Sequence, residues 1–263
     1  TYLYSCGSKL WKGITVEAGG HLIIDEGTII SDALFGINIK PGAIVEIKNS
    51  YLNDNYIGIN LNNGAKLDLI ENTTIQTLNS VKPTNHLNAE YWSQYTYCGI
   101  LLNPGSFLNM GQDYNGQSSV NHFKNINLGI YAQSSTVLCS NANFEGIQKR
   151  LPWVSQVGSA IYLKNSLYNF IWKNNINSSF DGIRGYKSAL LCEENTIDVE
   201  NIGIGSIINE GKYTIINNNR ISSKYTCIDG FYIGKGKILD NSLDIVNSNS
   251  EVHTSGINIR KLT

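Results

Sequence analysis

The chain has 263 residues with 20 Lys and Arg against 21 Asp and Glu, a net charge of −1. That balance gives no electrostatic basis for nucleic-acid binding, and no apolar run approaches the ~20 residues that span a membrane. Only 16% of residues are charged, whereas 25 are Gly, which suits strands and turns more than helices.

The first element, Gly13-Ile14-Thr15-Val16, returns along the whole chain. It reappears as Gly36-Ile37-Asn38-Ile39, Gly58-Ile59-Asn60-Leu61, Gly99-Ile100-Leu101-Leu102 and Gly256-Ile257-Asn258-Ile259. Degenerate copies stand at Gly129, Ala160, Gly182, Gly203 and Cys227, each followed by Ile. Consecutive copies lie 21 to 24 residues apart wherever nothing is inserted. A fixed period of this size marks a solenoid, whose units bury their apolar faces only by stacking. Apolar residues two apart within each copy indicate strands. About 22 residues hold three short strands and three turns.

A second strand follows each copy. Its inward residues are read as Leu22/Ile24, Val45/Ile47, Leu67/Leu69 and Leu108/Met110. A third and shorter strand usually follows an Asn: Asn49, Asn72, Asn141, Asn174, Asn195, Asn219 or Asn241. Asn tolerates left-handed backbone and bonds its own turn, and stacked copies predict a side-chain ladder up one corner.

These features resemble the right-handed parallel β-helix of the pectate-lyase-like superfamily. The opening from Trp11 through Ala18-Gly19-Gly20 to Thr28-Ile29-Ile30-Ser31-Asp32-Ala33 is similar to that of large secreted β-helix proteins of Bacteroidota-type bacteria. The expected fold is therefore all-β, a right-handed parallel β-helix of about ten coils with three short strands per coil. Residues 1–263 make one domain. No polar cap is legible at either end, which predicts a piece of a longer protein. The resemblance implies a secreted or cell-surface location. It does not choose among enzymes, adhesins and spacers.

Insertions break the rhythm at 77–98, 111–121, 148–159 and 246–255. The first carries Tyr91, Trp92, Tyr95 and Tyr97, and the third carries Arg150 and Trp153. Both leave from the corner between strand three and the next strand one, two coils apart, so they are expected to meet. Exposed rings of this kind pack on sugars or anchor partners; alternatively they fold back over the flank as a small core. The outward positions of strand one run Thr15, Asn38, Asn60, then Tyr131, Tyr162 and Arg184 on successive coils. Tyr91, Trp92, Tyr95, Tyr97, Tyr131, Arg150, Trp153, Tyr162 and Arg184 are the candidate ligand-binding residues.

No catalytic constellation is legible. Lys164, Arg184 and Lys187 are candidate bases for a lyase, but the acidic cluster that would hold a cation is missing. Asp181, Glu193, Glu194, Asp198 and Glu200 offer no convincing glycosidase pair. The five Cys show no metal spacing, and Cys139 and Cys192, two coils apart, are expected to be buried thiols. No cofactor or metal is expected. The sequence favours a non-catalytic module presenting aromatic loops to a polysaccharide or a surface-protein partner, or a plain spacer. The alternative is a polysaccharide lyase or glycoside hydrolase acting on acidic polysaccharide.

Overall fold

The computed structural model describes residues 1–83, 94–111, 119–149, 157–246 and 255–260, with the side chains of all but 178, 208–211 and 231–234. Among the described residues there is no helix, and every strand pairing is parallel. The chain winds as a parallel β-solenoid of ten coils.

Sheet one stacks the ten copies of the repeat, from Ile14–Val16 through Ile57–Leu61 and Ser159–Lys164 to Ser255–Arg260. Its inward file, Ile37, Ile59, Ile100, Ile130, Ile161, Ile183, Ile204 and Ile228, is fully buried. Each such Ile contributes roughly 1.5–3 kcal/mol on burial. The glycine ahead of it allows the coils to close. A Cβ on Gly203 would lie 2.3 Å from Ile221 Cγ2 and 2.5 Å from the Cys227 carbonyl oxygen. Sheet three stacks ten short strands, from Tyr2–Leu3 to Ser242–Ile245. Phe123 and Phe144 stack inside it with ring centroids 4.6 Å apart.

Sheet two departs from the expected pattern twice. Glu46, Ile47 and Lys48 pair with Leu69, Ile70 and Glu71, while Leu67 pairs with Leu108. Asp68 therefore falls out of the ladder as one extra residue. The core residues of this coil are Leu67 and Ile70, not the expected Leu67 and Leu69. Later, strands one and two fuse. Ile202–Asn217 pairs with both Asp181–Tyr186 and Leu190–Glu193, and Thr226–Leu239 follows it. The corners of coils five to seven use a left-handed residue followed by Ser: Ser134-Ser135, Asn165-Ser166 and Lys187-Ser188. Coil eight has no such pair, and the strand runs on through the corner.

The asparagines separate into two files. Asn49, Asn72 and Asn141 hold the left-handed corner, with φ of 47°, 45° and 51°. Asn174, Asn195, Asn219 and Asn241 come one residue later and build the ladder. Asn174 Nδ2 donates to Asn195 Oδ1 at 3.0 Å. Asn195 Nδ2 donates to Asn219 Oδ1 at 2.9 Å, and Asn219 Nδ2 to Asn241 Oδ1 at 2.9 Å. In this later file the corner is held instead by Lys173, Glu194, Asn218 and Asp240. A serine ladder rises on another corner, where Ser135 N–H donates to Ser166 Oγ and Ser166 N–H to Ser188 Oγ.

All five cysteines are free, and four are buried. Cys139 and Cys192 flank Ile171 in register, as the two-coil separation requires. Among the described residues no helix is long and apolar enough to cross a membrane.

Candidate functional site

The outward file of sheet one reads Thr15, Asn38, Asn60, Leu101, Tyr131, Tyr162, Arg184, Gly205, Asp229 and Asn258 in continuous register. It changes chemistry along the rod. The first four coils carry an amide network. Asn60 Nδ2 and Asn62 Nδ2 both donate to Asn38 Oδ1, at 2.8 and 2.7 Å. Asn103 Nδ2 donates to Asn60 Oδ1 at 3.0 Å, and Asn38 Nδ2 reaches Thr15 Oγ1 at 3.4 Å. Beside this network lies a shallow depression of about 600 Å³. Phe35, Ile57 and Leu101 supply its apolar lining, and Lys40, Asn62, Asn63 and Asn103 its polar edge.

The middle coils carry a second apolar cluster on the outside of the sheet. It is built from Tyr56, Ile57, Val81, Cys98 and Leu128, with Tyr97, Leu101, Tyr131 and Tyr162 packed against it. The residue just ahead of the repeat's glycine points outward here, which gives Ile57, Cys98 and Leu128 one file. That file then turns polar at Ser159 and Asp181, which are partners in register. Cys98 is fully buried and donates to the Ile100 carbonyl at 3.2 Å. Burial pushes its thiol pKa well up. Burial likewise raises the phenol pKa of Tyr56, Tyr131 and Tyr162, because a low-dielectric environment disfavours the phenolate.

Of the aromatic residues in the first insertion, Tyr97 folds back. Its ring stacks on Tyr56, with centroids 5.5 Å apart and 11° between planes. Tyr95 is partly buried. Tyr91 and Trp92, and Arg150 and Trp153 of the third insertion, lie outside the described residues, so their expected meeting does too. The described residues next to the two insertions make different contacts. Lys82 reaches Asp32 Oδ2 at 2.8 Å and the Ser5 carbonyl at 2.9 Å, toward the first coils. Lys149 lies over the Phe180 ring, 5.3 Å from its centroid, in the seventh coil.

Tyr131, Tyr162 and Arg184 occupy successive coils as expected, but they do not form a simple stack. Tyr131 and Tyr162 meet edge-on at 5.8 Å and 70°. Arg184 Nη1 turns back to Asp181 Oδ2 at 3.0 Å. Asp181 is 1% exposed, and its other oxygen accepts from Asn201 Nδ2 at 2.8 Å and the Ile202 N–H at 3.2 Å. A guanidinium that donates to a buried carboxylate makes a charge-assisted hydrogen bond that fixes its direction. The partnership follows from Asp181 preceding its glycine in the outward-turned position, three residues ahead of Arg184.

A second surface escaped the sequence reading. The outward positions of sheet two carry Leu138, Phe170, Leu191 and Ile215 in one file. Phe170 stacks on Trp172 at 4.3 Å, and Tyr168 is 74% exposed. The alternation Tyr168-Asn169-Phe170-Ile171-Trp172 carried the signal, with aromatic residues at 168, 170 and 172.

Among the described residues no group of three or more His, Cys, Asp or Glu is placed to hold a metal ion. The chain matches no family model, no curated protein and no solved structure.

Proposed function

We propose that this solenoid is a non-catalytic module of a secreted or cell-surface protein that binds a glycan along the outer face of sheet one. The observation that carries this reading is the juxtaposition of an apolar floor with an ordered amide edge. Sugar rings present apolar C–H faces and polar hydroxyl edges. Phe35, Ile57 and Leu101 suit the first, and Asn62, Asn103 and Lys40 suit the second. The amides are already held in place by one another, which lowers the entropy lost on binding. Tyr131 and Tyr162 extend the same face by two coils.

The lyase alternative finds less support here. A base must reach the proton it removes, whereas the Arg184 guanidinium is turned back onto the Asp181 carboxylate at 3.0 Å. From Thr15 to Gly205 the outward file contains no carboxylate. The placement outside the cell rests on the resemblance of the opening coils alone.

Affinity electrophoresis against neutral and acidic polysaccharides, followed by calorimetry on those that retard the protein, tests the reading. Replacing both Lys40 and Asn62 with Ala is expected to weaken binding about tenfold, roughly 1.4 kcal/mol; because Asn62 also bonds Asn38 and the Ile39 carbonyl, Lys40→Ala alone is the variant that should weaken binding at an unchanged melting temperature. Trp92→Ala with Trp153→Ala measures the contribution of the insertions. Retardation by no polymer would sink the proposal. Release of reducing ends or of an unsaturated product would replace it with the enzymatic alternative.

A further inference from the structure

We propose that Asn63 is a modification site, where the side chain loses ammonia and becomes a carboxylate at a rate set by the opening of its turn. Asn63-Gly64 is one of two Asn-Gly pairs in the chain; the other, Asn115-Gly116, lies outside the described residues. In such a pair the backbone nitrogen of the glycine can attack the asparagine side chain, because no Cβ shields it. A bond forms between Gly64 N and Asn63 Cγ, and the bond from Cγ to Nδ2 breaks. Nδ2 leaves as ammonia, taking up the proton that Gly64 N gives away. Water then opens the cyclic imide at either carbonyl. The product is Asp in the ordinary chain, or an isoaspartyl link that runs through the side chain.

The fold exposes the group that is attacked and restrains the group that attacks. Asn63 and Gly64 are both exposed. The Asn63 amide makes no hydrogen bond among the described residues, whereas Asn62 and Asn103 are tied into the amide network. Gly64 donates its N–H to the Pro104 carbonyl of the next coil at 3.0 Å, and Ala65 N–H closes the turn onto the Asn62 carbonyl at 2.7 Å. The Gly64 φ of 78° is that of the third residue of a type II turn. The same turn recurs at Gly19, Gly42 and Gly105, with φ of 79°, 79° and 78°. Its second residue there is Ala18, Pro41 or Pro104, none of which has an amide side chain to lose. Coil three alone among the first four coils sets a reactive amide at this position. Gly64 N must lose its proton before it attacks, so its bond to Pro104 has to open first.

The consequence falls in two places. An isoaspartyl link lengthens the backbone of a turn that is stacked on its neighbours, which misaligns the Gly64 N–H from Pro104. Asn63 also lines the sheet-one depression with Lys40, Asn62 and Asn103, so either product sets a carboxylate among them. The effect on glycan binding rests on the reading of that depression; the reaction itself does not.

The test follows Asn63 by peptide mapping and mass spectrometry at mildly alkaline pH, in the intact folded chain and in urea. Asn63 and Asn115 should convert at similar rates in urea, and Asn63 about tenfold more slowly in the folded chain. Urea below the unfolding midpoint should speed the folded reaction. Asn63→Pro fits the turn as Pro41 and Pro104 do. After the same ageing it should keep the melting temperature that the native chain loses. Equal rates for Asn63 in the folded and unfolded chains overturn the proposal. So does an Asn63 still intact in the folded chain after about a hundred half-lives of the unfolded reaction. An aged Asn63→Pro chain that loses as much melting temperature as the native one overturns the assignment of the damage to this turn. If Asn63 converts as expected while no polysaccharide retards even the fresh chain, the sheet-one reading falls and this one stands.

Discussion

Asn195 makes four side-chain hydrogen bonds at once. Its Nδ2 donates to the Ile171 carbonyl and to Asn219 Oδ1, and its Oδ1 accepts from the backbone and side-chain nitrogens of Asn174. The residue is 1% exposed, so water cannot replace these partners. Asn195→Ala leaves a backbone donor and a carbonyl unpaired in the interior. The expected cost is about 3 kcal/mol, a fall of about 10 °C in melting temperature by calorimetry. The cysteines behave differently. Cys6 is exposed, whereas Cys98, Cys139, Cys192 and Cys227 are buried. A thiol reagent should modify one cysteine in the native chain and all five only after unfolding, measurable by mass spectrometry. Two prompt modifications would contradict the burial.

The legibility of each element depended on how its signal is spaced. Sheet one was readable because Gly-Ile and a second aliphatic recur at a nearly constant interval, and its Ile is fully buried at the eight copies from Ile37 to Ile228. The bulge at Asp68 was not readable, since one extra residue in a strand leaves an apolar pattern that fits two registers. The asparagine corner was readable as a corner but not as two files. Composition cannot distinguish the Asn that turns the chain from the Asn that follows it. In two of the later coils Lys173 and Glu194 take the turning position, and neither advertises left-handed backbone. Likewise Asp181 and Arg184 were legible as charges but not as a pair, because outward direction at position 181 depends on the bend at Gly182. At this scale a strained corner can be relieved. Ser134 has φ of 48°, and a non-glycine residue there costs about 1 kcal/mol or more. Ser134→Gly should therefore raise the urea midpoint slightly, by about 0.5 kcal/mol of stability after the added freedom of the unfolded chain is subtracted.

Over the whole molecule, neutral side chains are buried where charged forms would be costly. Burial raises the pKa of Tyr56, Tyr131 and Tyr162 and of Cys98, Cys139 and Cys192 above their ordinary values. The unfolded chain therefore releases these protons first. Stability from these groups is fully present below the unfolded thiol and phenol values, about 8.5 and 10, and is lost as pH rises through them toward the folded values. Urea unfolding should give a constant midpoint from pH 7 to about 8 and a steepening loss above about pH 9. A midpoint that rises in that window would contradict the assignment. Stability should also vary along the rod, because each coil touches only its neighbours. Strand 255–260, where Ile257 and Ile259 are 48% and 39% exposed, should exchange its amide hydrogens sooner than strand 130–133, where Ile130 and Ala132 are fully buried.

The asparagine ladder has one further consequence, for length. Lys173 and Glu194 share the same corner geometry, with φ of 54° at each, and each is followed by a ladder Asn. Excising residues 174–194 would join Lys173 to Asn195 across an equivalent junction. Asn195 would then meet the Cys139 carbonyl that Asn174 now holds. Such a chain would be a rod shorter by a single storey with its joinery intact, so that extent becomes a quantity that can be edited in whole steps.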